Sequence, residues 1–435
     1  MKGLLFSLFL LLSGMSLAAD HSPERLLVKL HDGTLFPESN LVISKKELMP
    51  NLYLVFSHNI EKLEQELISH GEVKYVEKDY YGTKNKLSKL DLFTPKSINL
   101  ENQSTFNDPY FSRQWTLAAS ENNGISVTRA YEARRASPKQ KIIVAVVDTG
   151  VDANHEDIPI WTNAGEIPGN GIDDDNNGYI DDIHGINTLV RDSQGNATMD
   201  TSDAHSHGTH VSGSIAAKQN NGKGIVGIAS NVEIMAIRTV PNSSDELDSD
   251  VIEAFVYAAK NGAKVINCSF GKDHNEGGNA VSEAIDYIGK VYGVLVVAAA
   301  GNDSSDIDRR LTYPASFTNE NLLVVASTSQ GGSMSYFSNY GAVGVDVAAP
   351  GSSIYSCLPG NRYGSMSGTS MASPNTVGVA AHLLSLFPEL SAIELKELVM
   401  RSVTKVSAFS GKMVSGGRID LDRAIQMGMQ LNGQY

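Results

Sequence analysis

Three short stretches rich in glycine and small residues restrict this chain more than anything else in it. They are Val146-Val-Asp-Thr-Gly150, His207-Gly-Thr-His-Val-Ser-Gly213 and Gly368-Thr-Ser-Met-Ala-Ser-Pro374. The first closes Lys141–Asp148, a short β-branched apolar run of the kind that forms a buried parallel strand. Asp148-Thr-Gly150 then leaves the carboxyl end of that strand, where α/β folds place their ligands. His207 opens a helix-like stretch, and Ser370 precedes an apolar helix running to about Phe387, with Pro374 near its first turn. The pattern predicts an α/β fold built on a mainly parallel sheet that brings Asp148, His207 and Ser370 together.

Those residue types suit nucleophilic catalysis. A serine hydroxyl is a poor nucleophile at neutral pH and needs an adjacent base. His207 would take its proton and later return it to a leaving group, while Asp148 would hold the imidazole tautomer. Singly, each residue reads as a cap or a turn former; the combination does not. In residues and in Asp…His…Ser order the chain resembles the subtilisin family of serine endopeptidases, from about Trp115 to its C-terminus. The resemblance implies a three-layer subtilisin-like domain. It implies that Asn302, ending Ala298-Ala-Ala-Gly-Asn302, donates its amide to an oxyanion beside the Ser370 N–H. It also implies that Ser269, Phe270 and Gly271 line the groove and pair with an extended polypeptide substrate. Large apolar residues are the family's habit at the cleaved position; Asp303, next to Asn302, would favour a basic one.

The N-terminal part has a different texture. Lys2, the apolar run Leu4–Leu12 and small residues to Ala19 read as a signal peptide, too short to stay as a membrane span. Residues 20–81 alternate strand-like and helix-like runs and end in Tyr75-Val-Glu-Lys-Asp79. They resemble the α+β propeptide that in this family chaperones folding, blocks the active site and is removed. Residues 82–107 then read as a cleavable linker, and 108–435 as the peptidase domain. These features predict a secreted (extracellular or periplasmic) zymogen, monomeric and free of the membrane once its signal is gone. Of the formal net charge of −14, residues 107–435 carry −13, which disfavours nucleic acid and anionic membranes. Cys268 and Cys357 cannot form a disulfide framework and read as small buried hydrophobes, although a single bridge is open to them.

The acid is concentrated in Gly171-Ile-Asp-Asp-Asp-Asn-Asn-Gly-Tyr-Ile-Asp-Asp182. Asp173, Asp175 and Asn177 alternate as in the first half of an EF-hand loop, and the Tyr179 carbonyl continues the series. The twelfth position is His184, so Asp181 or Asp182 would have to complete a structural Ca2+ site. Gln114, Asp157 and Asn220-Asn-Gly222 form a fainter match to a second calcium position of the family. His205, His207 and His210 suggest zinc but lack the His-Glu-x-x-His spacing. Ala372 stands where an α/β-hydrolase elbow needs its last glycine. A non-catalytic calcium-binding scaffold is the remaining alternative, and it would normally have lost one of Asp148, His207, Ser370 or Asn302.

Overall fold

The computed structural model describes residues 21–82, 105–133, 138–192, 195–242, 246–273 and 278–431. The signal-peptide reading and most of the linker lie outside the described residues.

The N-terminal module consists of β1 (His21–Leu30), β2 (Ser44–Met49), β3 (Leu52–Phe56), α1 (Ile60–Ile68) and β4 (Val73–Tyr80). Its antiparallel sheet has the order β2-β3-β1-β4. Alternation along β1 gives the sheet two apolar faces. Leu26, Val28 and Leu30 join Ile60, Leu63 and Leu67 of α1 in the module's own core. Leu27 faces the other way and, with Leu48, Leu52 and Leu54, enters an apolar cluster shared with the rest of the chain.

Beyond it run α2 (Val127–Glu132), β5 (Ile142–Asp148), β6 (Asn187–Arg191), β7 (Ala197–Thr198), α3 (His207–Ala216), β8 (Val232–Arg238), α4 (Asp248–Lys260) and β9 (Val265–Cys268). They are followed by α5 (Ala280–Tyr292), β10 (Leu295–Ala299), β11 (Leu322–Thr328), β12 (Val347–Pro350), β13 (Ile354–Leu358), β14 (Arg362–Met366) and α6 (Thr369–Leu386). The chain closes with α7 (Ala392–Arg401), β15 (Thr404–Lys405), β16 (Gly417–Arg418) and α8 (Leu421–Leu431).

Among the described residues the large sheet has the order β15-β16-β12-β11-β10-β9-β5-β8-β6-β7. Its centre is parallel: β5 lies between β8 and β9, and β10 between β9 and β11. Val144 and Val146 of β5 face the core beneath α3 and α6, whereas Ala145 and Val147 face α4 and α5. This is the three-layer α/β arrangement that the resemblance implies, with the parallel centre that the apolar runs predict, since parallel strands need cover on both faces. The module lies over α4 and α5. Cys268 and Cys357 are buried as free thiols, in agreement with the small-hydrophobe reading.

Candidate active site

Asp148 is the last residue of β5, and Ser269 follows the end of β9 just as Asn302 follows β10. Three adjacent parallel strands thus deliver these residues to one edge of the sheet. His207 is the first residue of α3, whose start is set by Asp203. Its carboxylate accepts from the N–H groups of His205 (3.0 Å), Ser206 (2.8 Å) and Thr209 (2.9 Å) and from the Thr149 hydroxyl (2.9 Å). Gly208 lets this turn meet the strand end: a Cβ there would lie 2.0 Å from the Gly150 carbonyl oxygen and 3.1 Å from Asp148 Cβ.

The two side chains meet in the interior. His207 Nδ1 lies 2.7 Å from Asp148 Oδ1, both side chains fully buried. That Asp148 oxygen also accepts the Thr149 N–H at 2.7 Å. An Nδ1–H held by a carboxylate leaves the Nε2 lone pair as the available base. Nε2 is buried and makes no hydrogen bond with the described residues. Of the neighbouring histidines, His205 is held below the usual imidazole range by burial and by His207. His210 is pushed down to about 3, mainly by burial. Its Nε2 faces the Ile354 and Gly364 carbonyls at 2.9 and 3.2 Å, which makes it an N–H donor there and not a metal ligand.

Ser370 lies in the first turn of α6, and its hydroxyl donates to the Ser269 carbonyl at 3.0 Å. The helix begins at Thr369, one turn earlier than the sequence suggests, so Pro374 is inside it. Proline has no N–H for the carbonyl four residues back, which is that of Ser370. The Ser269 hydroxyl donates to that oxygen instead, at 3.0 Å. Ser269 is itself fixed through Asn267, and Asn267 through Ser373, at 2.8 and 2.9 Å. Asn302 Oδ1 accepts the Thr369 N–H at 2.8 Å and the Thr369 hydroxyl at 2.9 Å. Two donors on the oxygen settle which way the amide points and leave its NH2 group free to donate elsewhere.

Phe270 and Gly271 border a small cleft with Val251, Val281 and Phe317. Lys272 closes it by pairing with Asp248 at 2.5 and 2.6 Å. The opposite wall was not legible in sequence. Tyr81, just past β4, bridges Leu247 antiparallel, and the Gly82 N–H donates to the Glu246 carbonyl at 2.8 Å. The segment leaving the module therefore lies on residues 246–247 as an added strand.

In the Asp-rich loop, carboxylate oxygens of Glu166, Asp173 and Asp175 come within 4.8 Å of one another. Glu166 stands outside the loop pattern, so no spacing rule reaches it. Asp181 accepts the N–H groups of Gly169, Asn170 and Gly171. Asp182 accepts from Asn163, Asn177 and Tyr257. The Asn177 oxygen takes the Tyr179 N–H, and the Tyr179 hydroxyl turns toward α4. At the fainter second position, Gln114 pairs with both backbone groups of Val226 at 2.8 Å, and Asp157 accepts from Asn221 and Ile225.

Residues 139–417 match the peptidase S8 profile, described as the subtilase family. The chain belongs to the subtilase family. Thermitase from Thermoactinomyces vulgaris is 36% identical over 323 residues, covering 74% of this chain and 99% of thermitase. Subtilisin-like protease 1 from Plasmodium berghei (strain Anka) is 31% identical over 370 residues, covering 80% of this chain. This subtilase spans 59% of the length of that relative. In fold it resembles fervidolysin from Fervidobacterium pennivorans, described as a keratinolytic enzyme related to subtilisin. The TM-score is 0.70 at 24% identity, with 93% of this chain and 61% of that chain covered. Among the described residues of this subtilase no helix is long and apolar enough to cross a membrane.

Proposed function

We propose that the chain is a secreted serine endopeptidase, made with its own N-terminal inhibitor, that hydrolyses peptide bonds through Asp148, His207 and Ser370. The observation that carries this reading is the buried His207–Asp148 pair at 2.7 Å with Nε2 left free, on the sheet edge that also carries Ser269 and Asn302. In the reaction the Ser370 hydroxyl leaves the Ser269 carbonyl, gives its proton to His207 Nε2 and attacks the scissile carbonyl carbon. The carbonyl oxygen takes the electron pair and is met by the Asn302 amide and the Ser370 N–H. Asp148 stabilises the imidazolium, which then protonates the leaving amine as the C–N bond breaks. Water repeats the sequence on the acyl-enzyme and restores Ser370.

The substrate binds as an extended strand between Ser269–Gly271 and residues 246–247. The pairing of Tyr81 and Gly82 on the latter supports this path. The same pairing supports residues 20–81 as a propeptide whose trailing segment enters the groove. Met1–Ala19 supports export. The decisive experiment compares wild-type protein, made without the signal, with Ser370→Ala. Wild type should hydrolyse casein and shed roughly 80–90 residues, the length of propeptide plus linker. Ser370→Ala should do neither and remain folded. Turnover persisting in that variant would refute the mechanism.

Glu166, Asp173 and Asp175 suit a hard oxygen-seeking cation: their carboxylates converge, and the N–H groups each accepts order the oxygens without neutralising the charge. Calcium there would brace the loop and supply no step of the reaction. At free calcium near 100 times Kd one such site adds about 2.7 kcal/mol to stability. Chelator should therefore lower the melting temperature, and Asp173→Ala with Asp175→Ala should abolish that shift. Immediate loss of catalysis in chelated, still-folded enzyme would contradict this role.

A further inference from the structure

The groups that hold the module do not end at α4 and α5. Lys46, on the edge strand β2, places Nζ 2.6 Å from Glu253 Oε1 and 4.4 Å from the centre of the Tyr179 ring. Tyr179 belongs to the Asp-rich loop and donates its hydroxyl to the same Glu253 oxygen at 3.0 Å. Arg191 occupies the other oxygen at 2.6 Å. Behind this group the Tyr179 ring meets Tyr257 edge-on with centroids 5.0 Å apart. The Tyr257 hydroxyl donates to Asp182, which also accepts the Asn177 amide at 3.0 Å, and that amide touches Asp175 at 3.2 Å. An unbroken line of contacts thus joins the carboxylate cluster to a lysine of the module. A cavity of about 150 Å³ lies alongside it, lined in part by Lys46, Leu48, Asn177 and Tyr257.

Lys46 is mostly withdrawn from water, with 19% of its side chain exposed. An ammonium so placed needs a carboxylate and gains further from an aromatic face. Glu253 belongs to a rigid helix and is there in any state of the loop. Tyr179 is there only when residues 173–182 are folded as described. The module's hold on the body therefore includes one contact whose presence depends on the loop.

We propose that Tyr179 is a latch through which the Asp-rich loop sets how firmly the N-terminal module is held. An ordered loop seats Lys46 against Tyr179 and Glu253; a loosened loop withdraws the ring and weakens the module's grip. Coupling of this kind is reciprocal, so the docked module also steadies the loop. The consequence for activation rests on the reading of residues 20–81 as the chain's own inhibitor; the contact does not.

The test uses the full-length Ser370→Ala protein, in which the chain stays whole, and native-state hydrogen exchange of the β2 and β3 amides. Tyr179→Ala should speed that exchange about 3–10-fold, the range expected for one partly desolvated cation–aromatic contact, and Lys46→Met, which also breaks the Glu253 pair, should speed it further. The double variant should be no faster than Lys46→Met alone, since the Tyr179 contact is already lost in it. Tyr179→Phe, which keeps the ring, should retain most of the protection. Adding CaCl2 should slow β2 exchange in the parent and leave it unchanged in Tyr179→Ala. Additive single effects, or β2 exchange indifferent to both single substitutions, would overturn the latch. Because Lys46→Met alters the module and not the loop, misfolding of the loop cannot produce that result. Failure of wild type to shed its N-terminal residues would refute the propeptide reading, while the exchange data would still decide the latch.

Discussion

At the groove, Asp148 Oδ2 and His207 Nε2 are buried without a partner among the described residues. At the module interface, Asp79 and Glu253 are equally buried, yet each has both carboxylate oxygens engaged. Asp79 accepts from the Ser249 N–H and hydroxyl at 2.9 and 2.6 Å, and Glu253 from Lys46, Tyr179 and Arg191. Arg25 reaches Asp250 at 3.1 Å, and Arg191 pairs with Asp250 as well. Neither α4 nor α5 has a side-chain cap of its own. The module supplies Asp79 to the first and Glu77, 2.8 Å from the Asn279 N–H, to the second. A buried polar atom without a partner costs stability, and on the proposed mechanism the groove accepts that cost at His207 Nε2, where the Ser370 proton must arrive. The interface has no such need and satisfies its buried carboxylates.

The largest effect expected from this contrast is at Arg191. Arg191→Met leaves Asp250 and Glu253 buried with only Arg25 and Lys46 opposite them. In full-length Ser370→Ala, denaturant unfolding should lose about 3–5 kcal/mol, the usual consequence of breaking a buried pair. A loss below about 1 kcal/mol would mean that the network is more hydrated than its geometry implies.

At the groove the opposite pattern should hold, with a large kinetic effect and a small thermodynamic one. On the proposed mechanism, Asn302→Ala should lower kcat by about 10²–10³ with little change in KM, because its amide would serve the developing oxyanion. Loss of the acceptor for the Thr369 N–H and hydroxyl should cost only about 1–2 kcal/mol, a fall of a few degrees in melting temperature measured beside the steady-state rates. A mainly KM effect would assign Asn302 to substrate binding instead.

The smallest effect concerns pH. Burial, aided by Asp250 and opposed by Arg25 and Ser249, raises the Asp79 carboxyl from 3.8 to about 6 in the docked state. Asp250 is also raised, by burial first, despite Arg191 and Arg25. Docking therefore takes up protons, so it is strongest below about pH 4 and weakens as pH rises through about 6. Glu253 works the other way: burial is outweighed by Arg191 and Lys46, and its contribution fades only below its ordinary range. Exchange of the β4 amides should accelerate between about pH 4 and 6 and level off above, after correction for the intrinsic rate, and Asp79→Asn should flatten the trend. Protection that grows over that interval would reverse the assignment.

Much of the groove was legible because its chemistry is local in sequence. Asp148, His207, Ser370 and Asn302 each sit in a motif that also dictates the strand end or helix start delivering them. Other features were not. β2 reads Ser-Lys-Lys-Glu-Leu-Met, with three consecutive charges where a strand should alternate. It is an edge strand, and edges carry lysine; two of those charges here face solvent while Lys46 turns to the body. Glu166 reaches the carboxylate cluster across a loop reversal that no spacing rule describes. Asp181 and Asp182 have the composition of ion ligands, and only the folded loop shows that they stand outside the cluster formed by Glu166, Asp173 and Asp175. Residues 246–247 pair with Tyr81 and Gly82 through backbone groups, which leave no trace in side-chain identity.

Pro374 ties Ser370 to Ser269 by omission. In most helices an imino acid in the second turn is a defect. Here the missing donor releases the Ser370 carbonyl to Ser269, whose own carbonyl receives the Ser370 hydroxyl in return. The two serines are thus clasped reciprocally, one oxygen each way. Any residue at 374 with an N–H would compete for one half of that clasp. A substitution such as Pro374→Ala, favourable by helix propensity, should then yield a straighter helix and a less well-aimed hydroxyl, so that improving the scaffold would blunt the tool it carries.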